Sequence, residues 1–201
     1  MALNFANNNS LSSITALPAS ISGGSLNLIS TQTASSSSSL SFTSGIDSTY
    51  KEYIFKFINI HPATDAAKFQ FNLSIDGGSN YNVTKTTTFF HAFHDEADSS
   101  TVLAYASARD LAQSTSDQVL LWEGDNDADS SSSGYFHLFD PSNTTFVKHF
   151  LSTVNGVTNS ATTGNQYVAG YGNTTSAVDA VQFKMSSGNI DSGVIKLYGI
   201  S

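Results

Sequence analysis

The chain has 201 residues and no cysteine, which allows one domain with a sizeable core and excludes disulfides and thiolate metal sites. Charged residues make up 12% of it, about half the usual share of roughly 25%, and the net charge is −8. The eight cations (Lys51, Lys56, Lys68, Lys85, Arg109, Lys148, Lys184, Lys196) are dispersed, so the chain is not expected to neutralise a phosphate backbone or to bind nucleic acid.

Solubility must then come from Ser, Thr, Asn and Gln, which compete with a helical backbone for hydrogen bonds and favour strands and turns. The start, Met1 to Asn9, has no basic segment followed by an apolar run, and no later stretch approaches a membrane span. The expectation is a chain made in a cytoplasm with no membrane partner. Sequons at Asn72, Asn82, Asn143 and Asn173 read as accidents of an Asn- and Thr-rich composition.

Residues 1–25 carry isolated apolar side chains (Leu3, Phe5, Leu11, Ile14, Leu17, Ile21) with no period of 2 or 3.6. They read either as an extended arm ordered by a partner or as a frayed terminus. Residues 26–201 read as a single domain. Leu26 and Leu28, then Leu40 and Phe42, alternate with polar neighbours around Ser35 to Ser39, a polar strand edge or loop. Tyr53 to Ile60 reads as a central strand, with Tyr53, Phe55 and Phe57 on one face and Ile54, Ile58 and Ile60 on the other. Pro62 ends it. Phe69, Phe71, Leu73 and Ile75 form a clean alternating strand before an Asp76–Asn80 turn, and Thr84 to His94 gives the next. Residues 97–115 hold the one helix candidate, which we read as strand. Strands follow at Val119 to Trp122, Tyr135 to Phe139 and Phe146 to Leu151, the last two as a hairpin. Residues 155–165 read as a loop. Gln166 to Gly172, Val178 to Met185 and Val194 to Ile200 close the chain. Short strands at this spacing, without a βαβ rhythm, predict an all-β antiparallel β-sandwich, an eight-stranded jelly roll with extra strands from the N-terminal segment.

Several stretches resemble a known group. They are Leu28 to Ala34 before the serine run, Phe42 to Tyr53, Asn59 to Thr64, and Met185 to Asn189 with Gly193 to Ile200. Together they resemble a family of marine tailed-bacteriophage virion structural proteins. The ending Ile195-Lys196-Leu197-Tyr198-Gly199-Ile200 also resembles the ends of phage appendage proteins, so it points to a virion and not to a role within one. The resemblance implies no enzymatic activity and carries over no functional residue.

Asp125, Asp127 and Asp129 alternate like the start of a calcium loop, but Ser130 stands where an EF-hand needs Gly and Phe136 where it needs Glu. They are a candidate for a looser calcium site, against a solvated acidic loop. His91 and His94, beside Asp95 and Glu96, would point to opposite faces of a strand. His137 and His149 could face each other across the hairpin, more in the manner of a packed pair than a ligand set. Trp122, Tyr135, Tyr167 and Tyr171 could stack on sugars, although core packing is the more ordinary role. No Gly-x-Ser-x-Gly elbow occurs, and no catalytic residue is assigned.

The expected function is a non-enzymatic virion protein, a capsid decoration or cement protein on the virion surface. Its N-terminal arm would bind the major capsid protein or other virion proteins, and the chain would form a symmetric homo-oligomer such as a trimer. The alternative is a tail or fibre-tip module that binds host glycan near loops 76–82 or 155–175. A glycan-cleaving enzyme using two carboxylates is the third reading.

Overall fold

A computed structural model describes residues 25–201, and the arm residues named above lie outside that range. Among the described residues there are twelve strands and no helix. They are β1 (Leu26–Ser37), β2 (Leu40–Phe42), β3 (Glu52–Pro62), β4 (Ala67–Ser74), β5 (Lys85–Asp95), β6 (Thr101–Tyr105), β7 (Gln118–Gly124), β8 (Ser132–Phe139), β9 (Lys148–Thr158), β10 (Thr162–Gly172), β11 (Ala180–Met185) and β12 (Ile190–Ile200).

All pairings are antiparallel. One sheet runs β1-β12-β3-β8-β9-β10-β5-β6 and the other β2-β11-β4-β7. With β5, β6, β9 and β10 set aside, eight strands remain. In chain order they lie first-eighth-third-sixth in one sheet and second-seventh-fourth-fifth in the other. That interleaving is the jelly roll. Two hairpins are inserted into it. β9 joins the outer edge of β8, β10 joins β9, and the β5–β6 hairpin extends the sheet further. Among the described residues the extra strands come from these insertions, in place of the N-terminal source expected above. Where β8 ends, β9 runs on, and Thr158 pairs with Gly124 of β7, joining the two sheets at one corner.

Alternation explains the layers. Phe55, Phe57, Phe136 and Phe150 point inward from the large sheet and meet Phe42, Phe69, Phe71 and Phe183 from the small one. The rings cross the gap in edge-on pairs, Phe42 with Phe55 at 5.1 Å, Phe57 with Phe69 at 5.1 Å and Phe71 with Phe150 at 5.1 Å. Edge-to-face contact suits the ring quadrupole and adds to the burial of apolar area. β9 and β10 cover residues 155–165 except for a short turn at 159–161, which corrects the loop expected there. Thr, Val and Asn side chains there keep the backbone in a ladder, with Asn155 opposite Asn165.

Candidate functional site

The outer face of the large sheet distinguishes this jelly roll, because much of it is apolar where solvent-facing strand positions are usually polar. Cross-strand register builds it row by row. One row runs Thr31, Lys196, Lys56, Tyr135, Thr153, Tyr167, Phe90, Tyr105 across eight strands. The next runs Leu28, Tyr198, Ile54, His137, Leu151, Ala169, Thr88. Tyr135, Leu151 and Phe90 are 43%, 50% and 41% exposed, a large apolar share to leave in water without a partner.

The surface is not flat. Thr153 on β9 and Ala169 on β10 are small, with the half-exposed Leu151 beside them, while Tyr135 and His137 stand on β8 and Tyr167 and Phe90 on β10 and β5. The result is a groove along β9 of about 410 Å³. It continues into a second hollow of about 400 Å³ flanked by Phe139, His149 and Tyr171, and the two share Leu151 and Ala169. Phe90 and Tyr167 stack face to face, 4.7 Å apart and 10° from parallel, so the Tyr167 ring is braced from one side. Asn165 Nδ2 donates to the Tyr167 hydroxyl at 2.5 Å, which fixes the ring further. Tyr135 packs edge-on against His137 at 5.1 Å, and His137 Nδ1 is hydrogen-bonded to Glu52.

Beside Tyr135 the same row holds Lys56 directly opposite Lys196. Like charges placed so repel. Among the described residues the lysine ion pairs are Lys51 with Asp140 and Lys184 with Asp117, and neither Lys56 nor Lys196 has a carboxylate partner. The Lys56 ammonium lies 5.4 Å from the centroid of the Tyr198 ring, a weak attraction that does not neutralise it.

A smaller cavity of about 170 Å³ sits at the seam where β7 of the small sheet meets the large sheet, lined by His91, Trp122, Glu123 and Gln166 among others. The His91 and Trp122 rings stack 5.5 Å apart and 8° from parallel, and the Arg109 guanidinium lies 4.1 Å from the Trp122 ring. Gln166 Oε1 accepts the Trp122 backbone N–H at 2.6 Å, stitching β10 to β7. Burial, and then the nearby Arg109 charge, hold the His91 imidazole below its ordinary pKa. Every one of these contacts ties the sheets together, and we assign the seam a structural role.

The residues singled out in the sequence fall as follows. Trp122 packs on the core, but Tyr135, Tyr167 and Tyr171 stand on the outer face, against the ordinary expectation of core. His91 points inward and His94 outward, where His94 Nε2 pairs with Asp98 at 3.0 Å. His137 lies opposite Leu151, so His137 and His149 do not face each other. In the acidic loop, Asp125 Oδ2 accepts from Ser130 Oγ at 2.7 Å and Oδ1 from the Asp127 N–H at 3.2 Å, so this carboxylate caps its own turn. Asp129 lines a separate polar hollow with Asn59, His61 and Asp191. Among the described residues no group of three or more His, Asp or Glu could hold a metal ion. The groove itself was missed in the sequence, although the alternation of Tyr135, His137 and Phe139 could have signalled it.

Comparison with protein families, with curated proteins and with solved structures returns no match.

Proposed function

We propose that this chain is a non-enzymatic structural protein of a tailed-phage virion, a capsid decoration or cement protein displayed on the particle surface. The resemblance in residues 25–201 supports the setting, and edge strand β6 is the observation that carries the adhesive role. Among the described residues β6 pairs only with β5, and none of its five residues is buried. Its sequence, Thr-Val-Leu-Ala-Tyr, has no charge and no Pro to block pairing with another chain. Leu103 is 77% exposed and Tyr105 54%. Free edges of this kind accept a strand from a neighbour, and covering Leu103 and Tyr105 would add apolar burial. The partners are the major capsid protein or a second copy in a symmetric cluster. The N-terminal segment 1–25 supplies the other contact in this reading.

A tail or fibre-tip position is the second reading, favoured by the aromatic groove. The test is occupancy on purified heads. Deleting residues 1–25, or making Leu103→Lys with Tyr105→Lys, should each lower the bound copy number by roughly tenfold or more. Full occupancy by both variants would overturn the decoration reading.

A further inference from the structure

We infer that the outer groove is a binding site for an acidic glycan, a polysaccharide whose pyranose rings bear carboxylate or sulfate groups. The inference does not depend on where the chain sits on a virion.

Three features meet around the groove. The first is a slot. Tyr135 and Tyr167 stand two strands apart with Thr153 between them, a separation of roughly 9–10 Å. A flat aliphatic ring fits between two aromatic walls at that spacing, with its C–H faces against the negative faces of the π systems. Tyr167 cannot tilt away from the slot, because Phe90 supports its far side. The second is length. From Tyr135 to Phe139 the β8 wall covers about 13 Å, which admits roughly two to three rings laid along the strand. The third is charge. Lys56 stands behind Tyr135, two strand-widths from Thr153 on the slot floor, with Lys196 opposite it one strand further out, and no carboxylate of the described chain answers them.

That juxtaposition costs the free protein stability, and an anion set between the two ammoniums relieves it. It also decides the ligand. The residues lining the groove include no Asp, Glu, Lys or Arg, so its walls alone would take a neutral sugar. The lysine pair beyond the Tyr135 wall adds preference for a negative substituent that reaches past Tyr135 toward Lys56, which stands about 10 Å along the row from the ring over Thr153. The chain's net charge of −8 opposes this only weakly, since acids farther than a Debye length of about 8 Å are screened at physiological salt, and Glu52, the acid beside the groove wall, is engaged by His137. A membrane or nucleic-acid phosphate would need a wider field of cations than two lysines. A protein partner would bury the groove but would leave the ring-width slot unexplained.

The experiment is isothermal titration of the full chain with oligogalacturonate, with sulfated carrageenan oligosaccharide and with neutral laminarihexaose, beside sedimentation of the free protein. At least one acidic probe should bind roughly tenfold or more tighter than the neutral one, with affinity falling as salt rises. Lys56→Gln with Lys196→Gln should erase that preference. Tyr167→Ala should abolish binding, while Tyr135→Phe, which keeps the ring, and Leu103→Ala, away from the groove, should retain it. Melting temperature confirms that each variant is folded. Failure of both acidic probes to bind, equal binding of neutral and acidic probes, or unchanged binding by the lysine and Tyr167 variants would each overturn the inference. So would a dimer that the same variants split, which would assign the face to a second copy. Capsid attachment through β6 is measured separately, and either result can fail without the other.

Discussion

Two lysines are buried where their charge has little company. Lys85 is fully buried, and its ammonium donates to Asn72 Oδ1 at 2.6 Å and to the Val83 carbonyl at 2.8 Å. Those oxygens are dipoles and not a counter-charge, so burial pulls the Lys85 pKa down to about 8. Lys148 repeats the pattern with the carbonyls of Phe146 and Thr174, and burial lowers its pKa too. A lysine whose folded pKa lies below its unfolded value of 10.5 binds fewer protons in the folded state between the two. Stability therefore rises with pH through that window and is at its lowest below about 8. We expect the unfolding free energy to gain about 2 kcal/mol from Lys85 between pH 7.5 and pH 9.5, and Lys85→Met to lose that gain. Urea denaturation at the two pH values compares them, and equal slopes in wild type and variant would show that Lys85 titrates normally. Phe183 gives a prediction from packing instead. Its ring touches Phe42, Phe55, Phe57, Phe69 and Phe136, so Phe183→Ala opens a cavity at the centre of the core. The expected loss is about 3–5 kcal/mol in the same denaturation assay.

At the scale of elements, parity decides what a sequence shows. β4 was readable because Phe69, Phe71 and Leu73 keep strict alternation and all point inward. β3 was readable as a strand but not in its faces. Ile60 was placed with Ile54 and Ile58, yet Ile60 is fully buried while Ile58 is 40% exposed. Asn59 causes this. It takes a left-handed φ of 51°, the register slips between Phe57 and Ile60, and the alternation reverses by one residue. Gly193 makes the facing half of the irregularity, with φ of 123° and room for no Cβ, which would sit 2.6 Å from the Asn59 carbonyl oxygen. Gly193→Ala should therefore destabilise the protein by about 2 kcal/mol, whereas Asn59→Gly should be nearly neutral. No local pattern around Ile60 marks a bulge, so that part of β3 could not be read in advance. The groove was hidden for a related reason. Its walls come from β8, β10 and β5, and only long-range register shows that Tyr135, Tyr167 and Phe90 share a row. The acidic loop was legible as a turn, in which Ser130 engages the Asp125 carboxylate; if Asp125, Asp127 and Asp129 hold calcium, chelator should lower the melting temperature, and an unchanged melting curve would remove that reading.

For the whole molecule, the jelly roll and the two insertions divide the labour. The eight-strand body holds most of the phenylalanine core, to which the insertions add Phe150 on β9 and Phe89 on β5. The inserted hairpins add four strands to the large sheet, and with them both the groove and the free edge at β6. The surfaces with an adhesive character thus lie together at one end of the large sheet, away from β1, where the described chain begins. In the function proposed above, the β6 edge would meet the particle and the groove beside it would stay on the outer sheet face. On that proposal the chain works by contact, and its place in an assembly is the claim to test. The most direct test is immunogold labelling of intact virions with antibody raised against residues 26–201. The account predicts label distributed over the particle surface, densest on the head. Label absent from intact particles, with the protein recovered only in the surrounding lysate, would contradict it.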